Sequence, residues 1–358
     1  MFVKRITLIN FRNHHDRTIE FDQGVNVIIG PNAIGKTNIV EAIYYLSLAR
    51  SFRGVSDEEL IKFGEERAEI DADIYEGKIK RNIHILITKK GRVVLVNGKK
   101  VSKLSELAKA VNVLLFEPKD VILFRGSPKE RRSFLDINLS KKYPAYLDYI
   151  SHYNRALANR NEILKAEKVD KNLLDSTTEL LVKYAGPIVD YRSRYVKDIT
   201  DILIIIMRAL TGEDVEIKVN YNSFVSPSSD FKTVALEAFN RSLESDLRHK
   251  VTSIGIHRED FSVSLSGREI DVYGSQGENR LVALALKISP FFLIEDKDKR
   301  PAIVLDDVMS ELDEKHREKL VKFLAKLDQV FITATEFKIN GATHIEINKN
   351  MRSEEHTS

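Results

Sequence analysis

Three short segments carry residue types that could handle a nucleoside triphosphate. Gly30-Pro31-Asn32-Ala33-Ile34-Gly35-Lys36-Thr37 fits the phosphate-loop pattern G-x-x-x-x-G-K-[ST]. The loop's backbone N–H groups, with those of the helix entered at Asn38, would wrap a phosphate. Lys36 would reach the β and γ oxygens, and Thr37 would offer its hydroxyl to Mg²⁺. An ordinary glycine turn is the plain alternative, and the four matching positions with their strand and helix flanks speak against it. Pro301-Ala302-Ile303-Val304-Leu305-Asp306-Asp307 is an apolar run ending in two carboxylates, as a Walker B element does. Asp306 would hold Mg²⁺, directly or through water, and Asp307 would polarise an attacking water as general base. Alone, such a run reads equally well as a solvated helix cap. Ser275-Gln276-Gly277 opens a helical pattern, where a capping serine makes a second anion-binding turn; a simply capped helix is the other reading. Lys36, Asp307 and Ser275 are the catalytic candidates.

Elements must bring these segments together. Phe2–Ile9 and Val25–Ile29 read as strands bracketing a polar stretch, and a helical pattern follows Thr37. Ala68–Tyr75, Lys78–Ile87 and Val93–Val96 alternate apolar and polar residues between Gly-containing turns, which predicts an antiparallel meander. Val113–Phe116 is a short buried strand ending at Pro118. From Ser127-Pro128 to about residue 250 the pattern is helical, at Pro144–Lys168, Leu173–Leu210 and Phe231–Arg248, with a kink or break expected at Gly186-Pro187. Strands are expected again at Thr252–Ile256, Phe261–Leu265 and Ile270–Tyr273. A helix from Gly277, a strand at Ala302–Leu305, a helix at Glu314–Leu327 and strands at Val330–Thr333 and His344–Ile347 complete the pattern.

The fold expected is α/β: a mixed sheet with an antiparallel subdomain, discontinuous over residues 1–125 and 250–350, with an all-helical arm at 126–249 inserted between its halves. The last residues, Arg352–Ser358, match no element and are set aside as a non-native tail.

Composition narrows the function classes. The 358 residues are 43% hydrophobic and 30% charged, as in a soluble globular protein of about two domains. Without cysteine there are no disulfides, thiolate metal sites or Cys nucleophiles, which fits a cytoplasmic protein. No signal-peptide layout opens the chain, and its most apolar stretch, Ile202–Met207, is too short to span a membrane. A net charge of +3 cannot by itself argue for a polyanion partner. Between Arg125 and Lys142, however, six cations (Arg125, Lys129, Arg131, Arg132, Lys141 and Lys142) face two carboxylates. That cluster suits DNA-backbone contacts, and it equally suits a solvated helix face or an intersubunit salt-bridge set.

The order of the motifs, phosphate loop, serine turn, then acid pair, resembles the ABC-type ATPases. There the serine turn is the signature that contacts the γ-phosphate held by the other subunit. Ser310-Glu311-Leu312-Asp313 resembles their D-loop, and Thr335 stands where transport members carry a switch histidine. Threonine cannot take up a proton near neutral pH, which points away from transport.

Longer segments are similar to the RecF family of bacterial DNA-repair ATPases. They are Leu8–Asn13, Gly30–Glu41, Leu115–Asp120, Gly126–Asp136, Gly255–Phe261, Ser275–Gly277 and Leu305–Asp313, in family order over nearly the whole chain. Ala33 and Ile256 depart from the usual glycine and proline, and Asn279 is a less usual residue after the signature turn. The resemblance implies a head like those of Rad50 and SMC proteins, which dimerises on ATP, closes on DNA and hydrolyses slowly to release it. It implies homodimers, DNA gaps and junctions, RecO and RecR as partners, RecA loading, and ATP with Mg²⁺ as cofactors. Arg12 and Asn13 lie near the nucleotide base in such heads, a structural role being the other reading; His257 and Arg258 would stabilise the loop region near the nucleotide or the dimer seam, with a structural role again the other reading. An SMC- or Rad50-like ATPase outside gap repair is the main alternative. A nuclease-linked head would need a further acidic domain, and a non-hydrolysing scaffold would not need the acid pair.

Overall fold

A computed structural model describes residues 1–102, 106–107, 110–336 and 338–348; the tail set aside above lies outside them. The chain divides into two compact units: Met1–Val121 with Ile206–Glu213 and Leu284 onward, and Ile122–Ile205 with Asp214–Ala283.

The first unit contains two sheets. Strands β1 (Phe2–Ile9), β2 (Asp16–Glu20), β4 (Arg67–Glu76), β5 (Ile79–Thr88), β6 (Gly91–Val96) and β7 (Lys99–Lys100) form an antiparallel sheet in the order β2-β1-β4-β5-β6-β7. One face is apolar: Ile83, Ile85 and Ile87 of β5 turn inward while Asn82 and His84 turn outward. Strands β3 (Gly24–Ile29), β8 (Val113–Phe116), β12 (Ala302–Leu305), β13 (Gln329–Ala334) and β14 (Thr343–Glu346) form a parallel sheet in the order β14-β3-β13-β12-β8. Its central strands are buried along nearly their whole length, as a sheet covered on both faces requires; every residue of β13 is buried, and β12 is both buried and wholly apolar. Helix α1 (Lys36–Leu48) buries Ile39, Val40, Ile43 and Leu46 in one core with Ile6, Leu8, Ile70 and Ile85 of the first sheet and Val113, Val304 and Phe331 of the second. Gln329 links the sheets, accepting from the Val3 N–H at 2.8 Å and donating to the Val3 carbonyl at 2.9 Å. β2, read above as a polar stretch, is an edge strand that buries only Ile19.

The second unit holds helices α2 (Pro128–Lys142), α3 (Pro144–Lys165) and α5 (Phe231–His249), most of the 41-residue α4 (Lys171–Thr211), and a small sheet of β9 (Ile217–Asn222), β10 (Asp260–Leu265) and β11 (Arg268–Glu269). The expected all-helical stretch therefore contains a strand: β9 pairs antiparallel with β10 across the whole of α5. Residues 250–283, grouped above with the phosphate-binding half, lie in this second unit.

Helix α4 runs unbroken through Gly186-Pro187. Ala185, Ile188 and Val189 beside the proline are fully buried, and a side chain on Gly186 would press on the Phe231 ring at 3.2 Å. That packing offsets the hydrogen bond proline removes. Thr252–Ile256 is irregular rather than extended because side chains take its backbone groups. The Thr252 N–H donates to Asn161, the Ser253 N–H to Asp246, and the Ile256 carbonyl accepts from Arg192. Ile270–Tyr273 is one helical turn, α6, whose Ile270 carbonyl accepts from Asn279 in α7 (Gln276–Ile288).

Buried ion pairs organise this unit. Arg192, 1% exposed, bonds Glu259 at 2.9 Å, Asp136 at 2.8 Å and the Tyr146 hydroxyl at 3.0 Å. Arg160 bonds Asp246 and Thr252, each at 2.8 Å. Helix α8 (Glu314–Leu324) of the first unit is capped by Asp313.

Candidate functional site

The carboxyl ends of β3, β12 and β13 lie side by side, the edge at which open α/β sheets receive ligands. β3 runs into the loop Gly30–Thr37 and then α1. Gly35 has φ 111°, and a Cβ there would sit 2.5–2.9 Å from the Asn13 and His14 side chains, so only glycine fits. Ala33 has φ 63°, in the left-handed region where the usual glycine would be unstrained. Lys36 Nζ donates to the carbonyls of Gly30 at 2.7 Å and Pro31 at 2.9 Å. Burial draws its pKa below the ordinary lysine value, while Asp307 and Asp306 oppose this.

β12 delivers the acid pair to the same place. The Thr37 hydroxyl donates to Asp306 Oδ1 at 3.1 Å, and the Thr333 hydroxyl donates to the same oxygen at 2.8 Å. Asp306 is buried, and desolvation raises its pKa against those two hydrogen bonds and the charge of Arg53. Asp307, next along, is exposed with φ 50°. Thr335 is exposed just past β13.

The turn Asn10–His15 braces the loop. Asn13 Nδ2 donates to the Ile34 carbonyl at 2.9 Å, Asn38 donates to Asn13 at 2.8 Å, and His14 Nε2 donates to the Gly35 carbonyl at 3.2 Å. Arg12 forms a two-pronged pair with Glu41, at 2.9 and 2.7 Å, and also donates to the Glu59 carbonyl. Glu41 is fully buried on α1, one turn beyond Thr37, and accepts from the Ser51 hydroxyl as well. Arg12 and Asn13, candidates above for contact with the base, therefore grip the protein itself. Glu41, Ser51, His14 and Thr333 are the residues the motifs did not single out. Glu41 and Thr333 lie inside segments already singled out, but nothing in their spacing marks them.

His14 carries a pH consequence. Burial lowers its pKa from 6.5 to about 4, helped by the charges of Arg17 and Lys62 and opposed by its bond to Gly35. A folded-state pKa below the unfolded one means the unfolded chain binds the proton first. The stability His14 supports is complete above pH 6.5 and is lost as pH falls toward 4, on the order of 2–3 kcal/mol. Denaturant titrations at pH 7 and pH 4.5 should show this loss, and His14→Gln should reduce it.

The second unit holds the serine turn. Ser275 caps α7: its hydroxyl donates to Glu278 at 2.7 Å and accepts from the Glu278 N–H at 3.2 Å, a capping box. Ser275, Gln276 and Gly277 are exposed. Asn279 is buried beneath them, donating to the carbonyls of Ile270, Gly274 and Ser275, which gives this less usual residue a structural role. His257 bonds the Tyr153 hydroxyl at 3.0 Å and the Thr252 carbonyl at 3.1 Å, and Arg258 is exposed.

The basic cluster divides. Arg125 and Lys129 are exposed, and Arg132 donates to the Glu259 carbonyl at 2.7 Å. Arg131 is a correction: it is buried, paired with Asp260 at 2.8 and 2.7 Å, and its Nη1 donates to the carbonyls of Leu123, Phe124 and Gly126. These bonds hold its guanidinium inside the fold rather than presenting it on the surface, where a DNA-backbone contact would have to be made.

Phosphate loop, acid pair and helix-capping serine turn on this scaffold define an ABC-type P-loop ATPase head. Residues 2–355 match the family model of the RecF/RecN/SMC N terminal domain. The chain is 36% identical over 341 residues to the DNA replication and repair protein RecF of Streptococcus suis (strain 05ZYH33), covering 94% of this chain and 93% of that one. The solved structure of the recombination mediator protein RecF-ATP in RecFOR pathway superposes with a TM-score of 0.86 at 32% identity, over 98% of this chain and 96% of that one. The Smc head domain of Pyrococcus furiosus shares the fold, with a TM-score of 0.57 at 17% identity over 94% and 90% of the two chains. The chain belongs to the RecF/RecN/SMC family and, within it, to RecF.

Proposed function

We propose that this chain is an ATP-dependent DNA-binding protein of the RecF type. ATP drives two copies together on duplex DNA, gaps and single-strand/double-strand junctions, and slow, DNA-stimulated hydrolysis releases them. In this reading it supports recombinational repair and replication restart with RecO and RecR, and loading of RecA. The observation that carries the proposal is the hydrogen-bonded chain Thr37–Asp306–Thr333, which ties the ends of β12 and β13 to the phosphate loop beside Lys36. Relatives named RecF, and RecF structures named for ATP and the RecFOR pathway, support the choice within the family.

The residues fit a magnesium nucleotide. Thr37 and Asp306 offer hard oxygen donors 3.1 Å apart. Among the described residues no cluster of three or more His, Asp or Glu could cage a metal, so substrate phosphates would complete its shell. Bound there, Mg²⁺ would neutralise charge on the β and γ oxygens. Lys36 would exchange its two loop carbonyls for phosphate oxygens. The loop N–H groups hold the phosphate chain in place, Asn13 and His14 keep the loop in shape, and Asp307 orients water and accepts its proton. Ser275 and Gly277 of a second copy would close over the γ-phosphate, Ser275 exchanging Glu278 for a phosphate oxygen. Only the filled seam satisfies both anion-binding turns, so ATP favours the closed dimer. With Arg131 committed inside the fold, DNA-backbone contacts fall to Arg125, Lys129 and Arg132, and affinity would drop steeply with salt. No helix among the described residues is long and apolar enough to cross a membrane.

Sizing the protein with and without ATP, and with gapped duplex at two salt concentrations, tests the proposal. Asp307→Asn should bind ATP within about 3-fold of the parent, since its carboxylate acts on water rather than on binding, and should hold the dimer closed. A variant that stays monomeric at saturating ATP would count against the clamp. A dimer indifferent to DNA would favour an SMC-like ATPase outside gap repair.

A further inference from the structure

Thr333 is 2% exposed near the end of β13, one strand across from the acid pair. β12 and β13 pair in parallel with Leu305 opposite Ile332, so the next step along sets Thr333 beside Asp306. Its hydroxyl is used twice. It accepts from the Asp307 N–H at 2.9 Å and donates to Asp306 Oδ1 at 2.8 Å. Chemistry fixes both roles, because an amide N–H can only donate and an ionised carboxylate can only accept. One oxygen atom thus holds the backbone of one acid and the side chain of the other.

Both acids need that hold. Asp307 has φ 50°, a conformation a residue with a Cβ enters only at a steric cost, so its turn must be pinned from outside. Asp306 shares Oδ1 between Thr333 and Thr37, which orients its carboxylate toward the phosphate loop. The chain Thr37–Asp306–Thr333–Asp307 joins α1, β12 and β13 through residues far apart in sequence.

We propose that Thr333 is a positioning residue for phosphoryl transfer, aiming Asp306 at the metal subsite and Asp307 at the attacking water. The inference rests on the roles given to those two acids above. Valine at 333 would keep shape and strand preference, leave the Asp307 N–H unpaired and take a donor from Asp306. Serine would keep the hydroxyl and lose only a methyl group.

The test compares the parent with Thr333→Val and Thr333→Ser. Affinity for a fluorescent ATP analogue is measured with Mg²⁺ and with EDTA, beside kcat, KM and the thermal midpoint. Thr333→Val should bind the analogue in EDTA like the parent, gain less affinity on adding Mg²⁺, and lose about 10- to 100-fold in kcat with little change in KM. Thr333→Ser should recover most of both losses. A valine variant with the parent's kcat and Mg²⁺ gain overturns the inference, and so does a serine variant as impaired as the valine one. If valine prevents folding, Thr333→Ala is read in its place by the same criteria. A parent that neither binds nor hydrolyses ATP would sink the functional reading itself, whereas an active parent matched by Thr333→Val sinks the role of Thr333 alone.

Discussion

Lys36→Met is expected to lose at least about 100-fold in ATP affinity, read by equilibrium binding of a fluorescent analogue. The loop's N–H groups are neutral dipoles, and within the loop Lys36 is the only full positive charge. Its ammonium is already tethered beside the phosphate-binding backbone, by the Gly30 and Pro31 carbonyls. Little has to be reorganised for it to turn to a phosphate oxygen, so most of the charge–charge attraction appears as affinity. Methionine keeps the length and apolar contact of the side chain, and the thermal midpoint should move little. In the proposed clamp, ATP-dependent dimerisation and DNA retention should vanish together, since both would depend on the occupied seam. A variant that binds ATP within a few-fold of the parent would show that the loop holds phosphate by backbone alone.

Arg192→Met should cost about 3–5 kcal/mol of stability in the second unit, the usual result of removing one partner from a buried ion pair. Arg192 serves Glu259, Asp136, the Tyr146 hydroxyl and the Ile256 carbonyl together. Glu259 is 3% exposed and would be left with the Tyr221 hydroxyl and the Phe224 N–H but no countercharge. Burial already raises its pKa against the pull of Arg192, so without the arginine it would take up a proton. Adding Glu259→Gln should recover part of the loss, because the amide oxygen still accepts the Phe224 N–H, its NH2 can donate to the Tyr221 hydroxyl oxygen, and the side chain carries no charge to bury. Denaturant melts followed by circular dichroism should show an earlier transition for the helical unit. The two units need not melt as one, so a separate probe in each is required. No change in the midpoint would mean that Glu259 and Asp136 find other partners.

The arginines show where motif reading runs out. Arg131 and Arg132 are neighbours in a basic run, yet Arg131 is folded around Asp260, 129 residues away, while Arg132 spends one donor on the Glu259 carbonyl. Helix periodicity tells which residues share a face but not which acid of another element meets them. Arg12 fared likewise: its position after β1 was legible, and its pairing with a buried Glu41 was not.

Local chemistry was readable wherever it is local. A glycine forced to φ 111° before a helix, apolar runs that can only be buried strands, and a serine three residues before a glutamate all declare themselves within a few residues. So the phosphate loop, the strands of the parallel sheet, the meander and the cap at Ser275 followed from residue order. β9, the irregular Thr252–Ile256 and the unbroken α4 did not, since each depends on a partner beyond the local window. The site divides in the same way. Residue types and spacing named Thr37, Asp306 and Asp307. Only sheet register set Asp306 against a threonine 269 residues away and another 27 residues away, and register is decided by which apolar faces bury together.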